Sequence, residues 1–435
     1  MQTDLAPEFK GTRDGDAAEA ILRKCVHCGF CLATCPTYLL LGNELDSPRG
    51  RIYLMKQMLE GAPVTQATQL HLDRCLTCRN CETTCPSGVQ YGALVDIGRK
   101  IAEARVERPN GERALRAVLR HGLTSSLFGP AMKLGQRVRA LLPAGLKSKV
   151  PPRAGPRARQ WPTRSHPRKV LLLMGCVQPS MLPNINSATA RVLDAAGVQT
   201  LVADGAGCCG AIRWHLGDEP GGLADMRRNI DAWWPTIAAG SVEAIVMNAS
   251  GCGVMVKDYG HALAHDPDYA AKAKRVSELT RDLSEFVPGL VGDLQARLAR
   301  TWPAARAAVS PTRASEPTRT IDTAKRLAFH PPCTLQHGQQ LRGNVESILR
   351  ALGFEVELAA NESHLCCGSA GTYSVLQSKL AFELRDRKLA NLEPLGVDAI
   401  VSANIGCILH LQTGTATPVR HWIEVLDETL VATPS

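Results

Sequence analysis

The chain has no long hydrophobic run. Its longest apolar stretch, from Val170 to Val177, is far too short to cross a bilayer as a helix. The opening residues, M-Q-T-D-L-A-P-E-F-K, offer neither a basic n-region nor an apolar h-region, so no secretory leader is expected. The net charge of +9 comes without a recognised nucleic-acid motif, which argues against a DNA or RNA partner. No credible flavin or nicotinamide fingerprint is found, so hydride chemistry is expected on another polypeptide. These absences leave a cytoplasmic chain, soluble or peripheral to a membrane, in a compartment that keeps thiols reduced.

Cysteine is what the chain does have: 16 in 435 residues. Two runs near the start have the spacing C-x2-C-x2-C-x3-C-P. The first is C-V-H-C-G-F-C-L-A-T-C-P (Cys25, Cys28, Cys31, Cys35); the second is C-L-T-C-R-N-C-E-T-T-C-P (Cys75, Cys78, Cys81, Cys85). The spacing resembles the bacterial ferredoxin signature for cubane iron–sulfur clusters. Three thiolates two residues apart can wrap one cluster within a single turn, while the fourth points away along the next helix. In two-cluster ferredoxins that fourth thiolate serves the other cluster. The resemblance therefore implies two 4Fe–4S clusters, one on Cys25, Cys28, Cys31 and Cys85, the other on Cys75, Cys78, Cys81 and Cys35. Disulfides would need an oxidising compartment. Structural zinc uses paired C-x-x-C motifs rather than four-cysteine runs ending in proline, and would leave the protein colourless.

Length sets a prior of about three domains, and an apolar content of 45% suffices for packed cores. The divisions expected are an α-helical ferredoxin-type domain over 1–110, a helical segment with a basic Pro/Arg linker over 111–166, an α/β lobe over 167–298, a Pro/Ser/Thr/Ala-rich linker over 299–324 and a second α/β lobe over 325–435. Helices are expected over 16–24, 51–60 and 93–107, with Ser47 and Pro48 starting the second of these. The long helical spacer between the runs resembles the ferredoxin domain of succinate dehydrogenase-type subunits. The basic stretch Lys147–Lys169 reads as a proline-stiffened linker, with an anionic membrane or acidic partner as the alternative.

The other cysteines fall in a repeat. Copy one runs from R-K-V-L-L-L-M-G-C (168–176) through C-C-G (208–210) to E-A-I-V-M-N-A-S-G-C (243–252). Copy two runs from K-R-L-A-F-H-P-P-C (325–333) through C-C-G (366–368) to D-A-I-V-S-A-N-I-G-C (398–407). The order strand–helix–strand–helix–strand predicts a parallel sheet of βαβ units in each copy. Every cysteine then falls just past the carboxyl end of a strand, the edge where such sheets bind ligands. The glycine after each cysteine pair permits a tight turn and a close approach to something bulky. G-A-G-C-C-G at 205–210 imitates a dinucleotide fingerprint, but copy two has E-S-H-L-C-C-G there and lacks the glycines. His215, His364 and His330 lie near these cysteines as candidate ligands or proton donors, with satisfied loop histidines as the bland alternative.

The pattern C…C-C-G…C resembles the CCG domain of heterodisulfide reductase, anaerobic glycerol-3-phosphate dehydrogenase, lactate-utilisation proteins and glycolate oxidase. The fullest form ends in C-x-x-C; here Ala249 and Asn404 stand where its first cysteine would be. Cys176, Cys208, Cys209 and Cys252, and Cys333, Cys366, Cys367 and Cys407, therefore remain open between a further cluster, another metal and thiol or structural roles. Taken whole, the two ferredoxin runs, G-N-E-L-D-S-P-R-G-R-I at 42–52, and N-A-S-G-C-G at 248–253 resemble the glycolate oxidase iron–sulfur subunit family. That resemblance implies an electron-transfer subunit of an oxidoreductase complex, not catalytic alone. It implies FAD-containing partner subunits that oxidise glycolate, some also D-lactate, and a membrane acceptor such as quinone, reached from the cytoplasmic face of the inner membrane. The alternatives are a self-contained heterodisulfide reductase-like enzyme and the equivalent relay subunit of a lactate or glycerol-3-phosphate dehydrogenase.

Overall fold

A computed structural model describes residues 1–143, 150, 158–307 and 325–431. Residues 144–149 and 151–157, which include part of the basic linker stretch, and residues 308–324 and 432–435 lie outside them.

The N-terminal region is helical: α1 (Arg13–Lys24), α2 (Pro36–Leu41), α3 (Pro48–Leu59), α4 (Gln66–Asp73), α5 (Asn80–Thr84) and α6 (Tyr91–Arg105). Side-chain caps set the starts of three of them. Thr12 accepts from Gly15 N, Ser47 from Gly50 N and Thr65 from Thr68 N, each worth about 1 kcal/mol. The Thr12 cap starts α1 earlier than the expected residue 16. Leu22, Met55, Leu59, Leu72, Leu94 and Val95 form the core beneath these helices. Two further helices, α7 (Asn110–Gly122) and α8 (Phe128–Arg137), follow.

Each repeat copy folds into an all-parallel four-stranded sheet. The first contains β1 (Arg168–Leu172), β2 (Val198–Leu201), β3 (Ala244–Met247) and β4 (Thr280–Asp282), in the order β2-β1-β3-β4. The second contains β5 (Arg326–His330), β6 (Glu355–Glu357), β7 (Ala399–Ser402) and β8 (Val419–His421), in the order β6-β5-β7-β8. The fourth strand of each sheet was not foreseen. T-R-D and V-R-H are three-residue edge strands with too little apolar pattern to register. β3 and β7 are buried along their whole length, as a parallel strand covered on both faces must be.

The order reverses between β1 and β3, and again between β5 and β7. Such switch points open a crevice at the carboxyl ends of the strands. Cys176 and Cys252 follow β1 and β3, and Cys333 and Cys407 follow β5 and β7. The chain's parallel topology thus gathers thiols dozens of residues apart.

The lobes share one apolar core, which takes in Val170, Leu193 and Leu290 of the first and Leu327, Phe329 and Trp422 of the second. Helix Asn184–Ala195 packs on helix Trp422–Val431. There Asn184 donates to Glu424 at 2.8 Å and Arg191 pairs with Asp427 at 2.6 Å. The Val291–Ala307 helix runs past residue 299, where a linker was expected to begin.

The N-terminal region sits against both lobes. Trp214 donates to Asp96 (3.2 Å), and Arg79 pairs with Asp258 (3.4 Å) of the first lobe. Tyr373 of the second lobe donates to the Arg74 carbonyl (3.1 Å), and Asn80 to that of His364 (3.3 Å).

Candidate metal centres

Both N-terminal runs fold into the same loop. Left-handed residues flank the second cysteine of each: His27 and Gly29 in one, Thr77 and Arg79 in the other. Three of these four carry a Cβ, and such conformations persist only where the surroundings fix them. The reversals turn successive thiols inward, and a short helix after each run carries the chain away.

Cys25 lies within electrostatic reach of Cys28 and Cys85, and Cys31 within reach of Cys25 and Cys28. Cys35, Cys75, Cys78 and Cys81 line a single cavity together with Arg51 and Tyr91. Cys35 thus lies with the first three cysteines of the second run, and Cys85 lies near Cys25 of the first. Burial pushes Cys31 up to about 11 and raises Cys78 and Cys81 well above the ordinary thiol range. Thiols held protonated this way lose the proton when a metal binds. The donor set and the cavity therefore fit a thiolate-ligated cluster.

The two groups differ in surroundings. Cys28 is exposed, between Val26 and Phe30, which are 68% and 64% exposed. The cavity group is enclosed and ringed by donors. Tyr91 Oη lies 3.6 Å from Cys75 Sγ, Thr77 N 3.4 Å from the same sulfur, and Thr37 Oγ1 3.3 Å from Cys35 Sγ. Arg51, nearly fully buried, points Nη1 at Cys35 from 4.0 Å. It is anchored on the His71 carbonyl (2.7 Å) and on Asp46, which also binds Arg74 (2.9 Å) and His71 (3.0 Å).

In the first lobe the four thiols form a chain of neighbours, Cys176 to Cys208 to Cys209 to Cys252. Cys176 and Cys209 donate to Cys208, whose sulfur also faces Gly210 N at 3.4 Å, and these contacts hold Cys208 well below the usual thiol range. Cys209 bonds in turn to Cys252. Asn229 and Tyr259 fix the turn through the carbonyls of Cys208 and Cys209, at 2.8 and 2.9 Å.

In the second lobe Cys333 and Cys366 are 3.7 Å apart, and Cys367 bonds to both Cys366 and Cys407. The turn is held by Lys388 on the Glu362 and Ser363 carbonyls and by His337 on that of His364 (2.9 Å). Cys333 and Cys366 pack with Leu76 and Cys78 of the N-terminal region in one buried cluster. No local sequence signal could have shown that contact.

The glycine after each cysteine pair makes the tight turn expected of it, and a second constraint adds to that. Gly210 and Gly368 have φ of +92° and +89°. A Cβ there would stand 2.9 Å from the Gly222 carbonyl oxygen and 2.4 Å from that of Ala381. A neighbouring helix backbone lies where that Cβ would be.

Of the candidate histidines, His215 turns to Asp96 at 3.7 Å, and the carbonyl of His364 serves as an acceptor for Asn80 and His337. Only His330 joins a ligand group: its ring lies with the sulfurs of Cys367 and Cys407, all within 4.8 Å of one another. Asn404, in the place of a missing cysteine, donates to Cys407 Sγ (3.6 Å) and accepts from Gly251 N (3.3 Å) of the other lobe.

Residues 21–89 match the 4Fe-4S dicluster domain, and 170–257 and 327–412 match the cysteine-rich domain named CCG. The chain is therefore an iron–sulfur protein with a helical dicluster domain and two cysteine-rich α/β lobes, and iron–sulfur clusters are its cofactors. It is 50% identical to the glycolate oxidase iron-sulfur subunit of Escherichia coli K12, over 99% of each chain. A probable glycolate oxidase iron-sulfur subunit of Bacillus subtilis is 29% identical, over 94% of this chain and 91% of its own length. Lactate utilization protein A of Bacillus licheniformis is 25% identical over 60% of this chain and 99% of its own length. The chain belongs to the family of glycolate oxidase iron–sulfur subunits. Among the described residues no helix is long and apolar enough to cross a membrane.

Proposed function

We propose that this chain is the iron–sulfur electron-transfer subunit of a glycolate-oxidising complex, not catalytic by itself. Its partners are FAD-bearing subunits that oxidise glycolate, with D-lactate as a second substrate, and the acceptor is a quinone or similar carrier. The complex sits peripherally on the cytoplasmic face of the inner membrane. The observation that carries the reading is the sorting of the N-terminal thiols into two crossed groups, one open to solvent and one sealed against the second lobe.

We assign Cys25, Cys28, Cys31 and Cys85 to one 4Fe–4S cluster, and Cys75, Cys78, Cys81 and Cys35 to the other. The lobe thiols Cys176, Cys208, Cys209 and Cys252, and Cys333, Cys366, Cys367 and Cys407, form further metal sites. Bound clusters supply single-electron transfer. The chain's own residues do the rest. Val26 and Phe30 give the open group an apolar rim for a partner. Arg51, Tyr91 and the Thr77 N–H offset negative charge on Cys35 and Cys75, which favours the reduced state.

The test is turnover with and without the flavoprotein partner. The isolated chain should not oxidise glycolate, and the complex should reduce a quinone analogue with it. Cys78→Ser should leave flavin reduction by glycolate intact and stop quinone reduction. Glycolate oxidation by the isolated chain, or unchanged quinone reduction in the variant, would overturn the reading. Similarity to lactate utilization protein A favours lactate as the second reading for the donor, and relative turnover of glycolate and D-lactate decides between them.

A further inference from the structure

We propose that the second lobe holds a single tetrahedral d-block cation, zinc or iron, with His330 as a ligand beside Cys367 and Cys407. This deepens the reading of that lobe as a metal site, and the first lobe has no counterpart to it.

The geometry suits one ion. The three donor atoms lie within 4.8 Å of one another, and all three residues are buried. A tetrahedral ion with bonds of about 2.3 Å to sulfur and 2.0 Å to nitrogen holds its donors roughly 3.5–3.8 Å apart. Small side-chain rotations close that difference. Thiolates on separate irons of a cubane stand farther apart than this group does. The fourth donor is Cys366, which neighbours Cys367 but whose sulfur lies outside that group and must rotate in.

The second observation concerns His330 alone. It is 1% exposed, and neither ring nitrogen has a hydrogen-bond partner. An orphaned buried polar atom costs about 1–3 kcal/mol. The chain's other deeply buried histidines avoid this cost. His421 bonds the Asn248 carbonyl (2.9 Å) and accepts from Ile423 N (3.2 Å). His337 bonds the His364 carbonyl (2.9 Å) and Thr83 (3.0 Å). A cation bound through one nitrogen gives His330 the partner it lacks.

Placement and charge agree. His330 ends β5 at the switch point of the second sheet, three residues before Cys333. The residue three before Cys176 in the first lobe is Leu173, buried in apolar packing. Three thiolates around a divalent ion leave one negative charge. The buried Lys388 ammonium lies in electrostatic reach of Cys333, Cys366 and Cys367 to offset it.

The test compares full-length wild type, His330→Leu, His330→Cys and Cys367→Ser, purified without oxygen, with iron, zinc and acid-labile sulfide quantified. Unchanged visible absorbance of the N-terminal clusters reports that a variant has folded. His330→Leu copies the first lobe and should lose about one metal ion per chain with sulfide unchanged; the metal that falls identifies the ion. His330→Cys, which restores a ligand, should keep it. If Cys367→Ser lowers metal and His330→Leu does not, the lobe binds metal without His330 and the proposal falls. If neither variant lowers metal, the wider reading of the lobe falls with it. Metal and sulfide falling together would mean a cluster and overturn the single ion. Should His330→Leu fail to fold, cobalt-grown wild type and His330→Cys decide. Exchange of nitrogen for sulfur must shift the ligand-field bands, and identical spectra would refute ligation.

Discussion

The two lobes share a topology and a cysteine pattern but not a setting. The first keeps its thiols to itself, with Cys208 and Cys209 anchored by Asn229 and Tyr259 of the same lobe. The second leans on the N-terminal region: Asn80 holds its turn, and Cys333 and Cys366 pack against Cys78. The repeat gives the two pockets one cysteine pattern, and the contact with the N-terminal region makes their settings unequal. One became the continuation of the sealed thiol group and the other did not.

Substitutions can break that contrast. The largest effect is expected from Cys366→Ser set against Cys208→Ser. The first should cut quinone reduction by about 100-fold or more and alter the EPR signal of the neighbouring cluster; the second should leave that signal as it is. Next comes Arg51→Met. Removing the cation leaves the His71 carbonyl without its donor and Asp46 with Arg74 and His71 alone, which costs about 1–3 kcal/mol in unfolding experiments. It should also lower the midpoint potential of the enclosed cluster, read by EPR-monitored redox titration, because the reduced form loses its nearest positive charge.

The turn supports allow a finer comparison. Lys388→Met takes a charged donor from the Glu362 and Ser363 carbonyls, which keep Leu365 N and Gln336, and Asn229→Ala leaves that of Cys208 without its side-chain donor. Each should cost about 1–3 kcal/mol in denaturant unfolding. Only the Lys388 change should also disturb spectra of the N-terminal clusters.

A pH series tests the join between the lobes. Burial pushes His421 down to about 3. The unfolded chain takes up a proton near 6.5 that the native state refuses, so stability is full above that pH. It falls as pH drops from about 6.5 toward 3, by up to about 1.4 kcal/mol per unit. His421→Asn should flatten this slope in unfolding measured between pH 6.5 and 4.5. The smallest effect is Thr77→Gly, which relieves a left-handed β-branched residue. It should stabilise by about 0.5–1 kcal/mol in thermal unfolding if the loop is kept.

The loops of the two N-terminal runs were legible in the sequence because their geometry is local: the spacing within each run dictates the loop. The lobes were legible because βαβ order dictates where strands end. What could not be read depended on distance. The Asp46–Arg51–Arg74 network joins residues that no periodicity connects. The packing of Cys78 against Cys333 unites opposite ends of the chain. Asn404 was visible only as a cysteine gone missing, and its bond to Gly251 explains what the amide does there instead. His330 was one of three candidate histidines, and only the fold separates it from His215 and His364.

The shared core has a consequence for biosynthesis. The contact from Asn184 to Glu424 closes a loop of 240 residues, so it is entropically among the later ones to form. While the ribosome is still making the second lobe, the Asn184–Ala195 helix has no Trp422–Val431 helix to cover it. A nascent chain stalled before that helix emerges exposes a greasy flank, and it is there that chaperones should hold it while iron is loaded upstream.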